Sequence, residues 1–172
     1  LERDQLLEAL YAVWPELRTA PHIWRPSAGG CIYHADTGEE LKGVSGQRLY
    51  VIVETAADIS RAGDVLFKRI WLAGHGRYEI SKSGALLSRS IIDSSVFQPE
   101  RLDFSGGAEC GKGLVQRLPD PLVINPAAEA ADTTTLRDLL PRELEELQAI
   151  RETARTALAG AVSAARESWI EE

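Results

Sequence analysis

The sequence predicts an α+β fold, in which a small antiparallel sheet carries packed helices and a long amphipathic helix closes the chain. Three observations predict it. Short β-branched or aromatic runs stand at residues 31–34, 49–53, 78–81 and 86–92, with the composition of buried strands. Between the second and third runs, Val65, Leu66, Ile70, Trp71 and Ala73 fall on one face of a helix. Near the end, Leu144, Leu147, Ile150, Ala154, Leu158, Ala161, Ala165 and Trp169 recur every three or four residues. A helix laid on one face of a small sheet buries the apolar surfaces of both.

Residues 3–14 open the chain as a short amphipathic helix, with Leu6, Leu7, Leu10 and Val13 on one face and Asp4 placed as a cap. Pro15, Pro21 and Pro26 then punctuate a loop in which Trp24 is an apolar anchor. Residues 31–34, ended by Asp36-Thr37-Gly38, are expected to form a first hairpin with residues 49–53. Ser60 is placed to cap a helix over 61–73, which Gly74 and Gly76 stop. Lys82-Ser83-Gly84 turns a second hairpin between residues 78–81 and 86–92. Residues 94–125 are rich in Gly and Pro and read as a long loop with one strand at 122–124. The Ala, Asp and Thr composition of 126–135 predicts a linker. Pro141 and the acids Glu143, Glu145 and Glu146 start the last helix, whose stripe narrows to alanine as if to meet a partner helix. The expected organisation is an α+β domain over 1–125, then a linker and C-terminal helix over 126–172.

The 172 residues are about one domain's length, with 44% hydrophobic and 26% charged residues, the mix of a soluble chain. No apolar run approaches the roughly 18 residues that a membrane span needs, and LERDQLLEAL has acids where a signal peptide needs basic residues. Two cysteines, Cys31 and Cys110, cannot frame a disulfide scaffold, so a cytoplasmic protein with reduced thiols and no membrane partner is expected. The chain has no methionine and begins at Leu1, which suggests a piece of something longer. Its net charge of −7 is uneven: residues 1–41 carry −4, 42–118 carry +3 and 119–172 carry −6. A basic centre between acidic ends suits a phosphate or a single strand better than indiscriminate nucleic-acid binding.

Several chemistries are disfavoured. Residues 106–112 follow the phosphate-loop spacing of a nucleoside triphosphatase, but Gly113 stands where that loop needs Ser or Thr, and Pro119 and Pro121 forbid a long helix after it. Cys31 and His34 have metal-ligand spacing without a second pair. No Gly-x-Ser-x-Gly nucleophile turn occurs. The densest polar constellation is GHGRYEISKSGALLSRSIIDSSVFQPERLDF, which sets His75, Arg77, Lys82, Arg89 and Arg101 near Glu79, Asp93 and Asp103. Carboxylates beside several cations suit a metal-bound triphosphate, with Lys82 and Asp93 meeting at one sheet edge. A structural ion-pair network would look the same in sequence.

Three runs, RPSAGGCIYHADTGEELKGVSGQRLYV, DISRAGDVLFKRIWLAGHGRYEISKSGALLSRSIID and SSVFQPERLDFSGGAECG, resemble the primase segment of replication proteins from phages, plasmids and integrative elements. These belong to the archaeo-eukaryotic primase superfamily, or primase-polymerases. The resemblance implies an RRM-like catalytic half of which residues 1–125 would be the C-terminal part. It also implies template-directed nucleotidyl transfer with Mg2+ or Mn2+, nucleoside triphosphates and a single-stranded DNA template as partners, and a replicative helicase domain in the parent protein. Ile91-Ile92-Asp93, followed by Arg101, is similar to the family's strand-end acid and downstream phosphate-binding arginine, which makes Asp93 the catalytic metal ligand. Ser45-Gly46-Gln47-Arg48 resembles the nucleotide-contacting motif, with Arg48 where many relatives carry His; an arginine holds a triphosphate but shuttles no proton at neutral pH. Ser45, Arg48, Lys82 and Arg101 are thereby expected on the nucleotide, and Arg77, Lys82 and Arg89 on nucleic acid. The family's paired-acid motif has no match, His34-Ala35-Asp36 being the nearest run; it is expected before Leu1, the alternative being a degenerate relative that lacks it. The competing expectation is a non-catalytic module that binds single strands or docks a helicase, with Tyr33, Tyr50 and Tyr78 available for base stacking.

Overall fold

The computed structural model describes residues 1–98, 100–103 and 106–171. Pro99, Phe104 and Ser105, which belong to the run similar to the third primase motif, lie outside the described residues, as does Glu172. The architecture is α+β, with small antiparallel sheets and a long C-terminal helix, as the sequence predicts. No described helix is long and apolar enough to cross a membrane.

Helix α1, Arg3–Val13, buries Leu6, Leu7, Leu10 and Tyr11. It starts two residues earlier than a cap at Asp4 would allow. Glu2 is the cap, its N–H donating to Gln5 Oε1 at 3.0 Å, and Asp4 sits inside the first turn, where its charge suits the helix dipole. The proline-punctuated stretch is not all loop. His22–Pro26 forms β1, the centre of a sheet ordered β4-β1-β8 with Gln47–Val51 as β4 and Leu122–Ile124 as β8. Along β1, His22, Trp24 and Pro26 are buried while Ile23 and Arg25 are half-buried, the alternation of a strand with one face on the core.

The expected hairpin between 31–34 and 49–53 does not form. Strand β2, Ile32–His34, pairs instead with β3, Glu40–Lys42, and with β7, Leu114–Gln116. The cause is local: the Asp36-Thr37-Gly38 turn, with Gly38 at φ 71°, returns the chain at once and lets His34 N–H donate to Glu39 O at 2.8 Å. The runs expected to share one sheet are thus divided among two three-stranded sheets and a hairpin.

Helix α2, Ile59–Ile70, is capped at Asp58 rather than Ser60 and buries Ala62, Gly63, Val65, Leu66, Phe67 and Ile70. A wider π turn, Trp71–His75, carries the chain out of it, and Gly74 at φ 82° makes the left-handed step. Strands β5, Gly76–Ile80, and β6, Leu86–Ser90, form the second hairpin as expected. Within residues 126–135, 126–129 are exposed, while the end of the segment enters the core. Ala131 is wholly buried and bridges Val53 in parallel, and Thr133 and Leu136 are buried beside it. Small side chains fit that close approach, and the same composition mimics a linker.

Helix α3, Pro141–Glu171, seats Leu147 against Phe67 and Trp71. Within the chain it packs mainly on the π turn and on β5, and it also meets Phe67 of α2. At the hairpin tip a Cβ on Gly84 would lie 2.9 Å from the Val162 carbonyl oxygen, so glycine is required where the turn meets α3.

Candidate nucleotide and nucleic-acid site

Ile91 and Ile92, half-buried against the core, carry the chain from β6 to Asp93, whose side chain is 54% exposed. Asp93 Oδ1 accepts from Ser95 N–H at 2.9 Å and so caps the 3₁₀ turn Ser94–Phe97. Its Oδ2 lies 3.8 Å from Arg101 Nη2. The Ser95 N–H, then the Arg101 and Arg89 charges, hold the Asp93 carboxyl below the usual carboxylate range, so it is an anion at neutral pH. Phe97 anchors the turn by packing on Gly63 of α2.

Arg48 projects from β4, only 25% exposed, and forms an ion pair with Asp103, which also accepts from the Tyr50 hydroxyl. The structure therefore joins β4 to the segment that follows Asp93. Ser45 stands in the β3–β4 connection, where a Cβ on Gly30 would lie 3.0 Å from its backbone nitrogen.

On the hairpin, Arg77 and Arg89 are directly opposed across the strands, and Glu79 accepts from both, at 2.9 Å from Arg77 Nη2 and 3.1 Å from Arg89 Nε. Arg77 and then Arg89 lower the Glu79 carboxyl below its ordinary range. Lys82 is exposed in the turn between the strands. The pairing of Gly76 with Ser90 puts Asp93 at the other end of the hairpin from that turn. Two five-residue strands at about 3.3 Å per residue separate the two ends by roughly 15 Å. Lys82 and Asp93 therefore do not meet at one edge: an antiparallel hairpin keeps its turn and its outgoing end apart.

Among the described residues, no group of three or more His, Cys, Asp or Glu side chains is placed to hold a metal ion. Asp93 offers one carboxylate whose Oδ1 is committed to the turn. The Cys31 and His34 pair is also committed elsewhere: Cys31 is buried, and His34 Nδ1 accepts from Asp36 and Thr37 N–H at 3.3 Å. The glycine-rich stretch 106–113 runs into β7 and not into a helix. Of the tyrosines, Tyr78 is covered by Trp71 and Arg155, and Tyr33 by Arg117, while Tyr50 is 38% exposed. Arg25 stands opposite Arg48 in the β1–β4 register, a placement that sequence reasoning missed. Its signal was the alternation of His22, Trp24 and Pro26 with Ile23 and Arg25, hidden by the prolines.

No family model matches the chain, and no curated protein or solved structure is significantly similar to it.

Proposed function

We propose that this chain serves template-directed nucleotidyl transfer in the priming of DNA replication, as part of a mobile-element primase-polymerase. The observation that carries this reading is the convergence of two motif segments. Arg48 on β4 is paired with Asp103, ten residues beyond Asp93, and Arg101 of the same segment faces Asp93. Guanidinium groups at this junction suit the oxygens of a nucleoside triphosphate, since each presents forked donors to an oxyanion. Asp93 supplies one hard oxygen toward Mg2+ or Mn2+, and the remaining ligands have to come from phosphates and from acids outside the described cluster. The cation, when bound, would neutralise charge on the triphosphate. Arg77, Arg89 and Lys82 suit a single-stranded DNA template, and a replicative helicase domain is the proposed partner in the parent protein.

A second reading, a non-catalytic single-strand binding or helicase-docking module, is favoured by the absence, among the described residues, of any group of three or more His, Cys, Asp or Glu side chains placed to hold a metal ion. The two separate in one titration. Binding of fluorescent deoxyadenosine triphosphate is followed with and without Mn2+ in the wild type and in Asp93→Asn. The primase reading expects Mn2+ to tighten binding in the wild type and the gain to be lost in the variant. An equal gain in both proteins would make Asp93 a turn cap and leave the binding-module reading.

A further inference from the structure

The outer face of the β4-β1-β8 sheet carries an arrangement that packing alone disfavours. The register sets Arg25 of β1 directly opposite Arg48 of β4, and Ile23 opposite both Tyr50 and Val123. Since His22, Trp24 and Pro26 fill the core side, Arg25 and Arg48 project together from the other. Opposed residues of an antiparallel pair have Cβ atoms about 5 Å apart, and like charges so placed destabilise the sheet. The structure places an oxyanion there: the Asp103 carboxylate takes the Arg48 guanidinium and the Tyr50 hydroxyl. A comparable arginine pair, Arg77 and Arg89, also gathers a carboxylate, but its side chains are 59% and 46% exposed, whereas Arg48 is 25% exposed. Charge-assisted hydrogen bonds gain strength as water is withdrawn, which makes the sheet face the stronger oxyanion site.

We infer that Arg25, Arg48 and Tyr50 form a cradle for the polyphosphate tail of a nucleoside triphosphate, and that Asp103 is a built-in competitor occupying it when the ligand is absent. This rests on the proposed nucleotide-handling role and adds to it a second arginine, a hydroxyl donor and a displaceable carboxylate. A polyphosphate carries more charge and more acceptor oxygens than one carboxylate, so it can take over the same donors. Tyr50 donates its hydroxyl to either occupant. Asp103 has the lower local advantage in charge but is always at hand, which sets a threshold on the ligand concentration that displaces it.

The test is calorimetric titration of the chain with inorganic tripolyphosphate in metal-free buffer, so that Asp93 and divalent ions play no part. Asp103→Asn removes the competitor's charge and is expected to tighten binding about tenfold, a gain that misfolding cannot produce. Arg25→Gln is expected to weaken binding about tenfold, with Arg25→Lys intermediate and Arg142→Gln on α3 as a control. Unchanged or weaker binding in Asp103→Asn, or full affinity in Arg25→Gln, would overturn the inference. So would a single-stranded oligothymidylate that binds through Arg25 while tripolyphosphate does not. Those failures leave the Mn2+ response of Asp93 untouched, and loss of that response alone would count against the nucleotidyl-transfer reading instead.

Discussion

Gly63 of α2 lies so close beneath the Phe97 ring that a methyl group at its Cα would fall inside the ring. This contact fixes the Ser94–Phe97 turn on the helix, aided by Ser60 Oγ, which donates to Phe97 O at 3.4 Å. The turn in turn fixes Asp93, whose carboxylate caps it. The placement of the strand-end acid thus depends on a helix thirty residues upstream.

Gly63→Ala is expected to push Phe97 off the helix and to destabilise the fold by about 1–3 kcal/mol, the usual cost of overpacking, despite alanine's better helix propensity. Urea denaturation measures it. A variant as stable as the wild type would mean that Phe97 yields freely and that the turn is held by other contacts.

Asp58 gives the fold an acid-sensitive joint. It accepts from Arg61 Nε at 2.6 Å and from Thr133 Oγ1 at 2.5 Å, tying α2 to the buried Thr133, and these bonds, Arg61 first, hold its carboxyl at about 2. The folded value lies below the unfolded value of about 3.9, so the contribution is complete above roughly pH 4 and is lost as the pH falls toward 2. Stability measured from pH 5 to pH 2 should fall more steeply in the wild type than in Asp58→Asn, and the gap between them should close over that window. A constant gap would show that the bonds do not discriminate the carboxylate from its acid.

Glu79 restrains the hairpin's two arginines. Glu79→Gln should tighten binding of a single-stranded oligonucleotide, and Lys82→Ala should weaken it and lower the slope of log affinity against log salt by roughly one. Fluorescence anisotropy across a salt series reads both. No response to either change would remove nucleic acid from this face.

The elements with an uninterrupted period were legible in the sequence. Helix α2, the β5–β6 hairpin and α3 lie within a few residues of where Val65 to Ile70, the Lys82-Ser83-Gly84 turn and the Leu144 to Trp169 stripe put them. Pairing was less legible. The 31–34 run looks ready to meet 49–53, but the Gly38 turn captures it for β3, and a strand bounded by Pro21 and Pro26 hides as a loop. The burial of Ala131 and Thr133 was invisible for another reason: Ala131 joins the core through its backbone pairing beside Val53, and Thr133 is held by Arg61 and Asp58, contacts that no run of apolar residues announces. In the candidate site, Arg48, Asp93 and Arg101 were singled out in the sequence by resemblance alone. The partners that define their surroundings, Asp103, Tyr50 and Arg25, come from register and from a loop's return path, which no local pattern encodes.

The most direct measurement is incorporation of a labelled nucleotide opposite a single-stranded DNA template by the protein expressed from its whole reading frame, across a Mg2+ and Mn2+ titration. Asp93→Asn keeps the shape and the capping capacity of the residue, so the fold should survive while incorporation is abolished at every metal concentration. Arg101→Lys should retain part of the activity, because a point charge replaces the forked contact to phosphate. Wild-type incorporation by Asp93→Asn throughout the titration would contradict the account and reduce Asp93 to the cap of a surface turn.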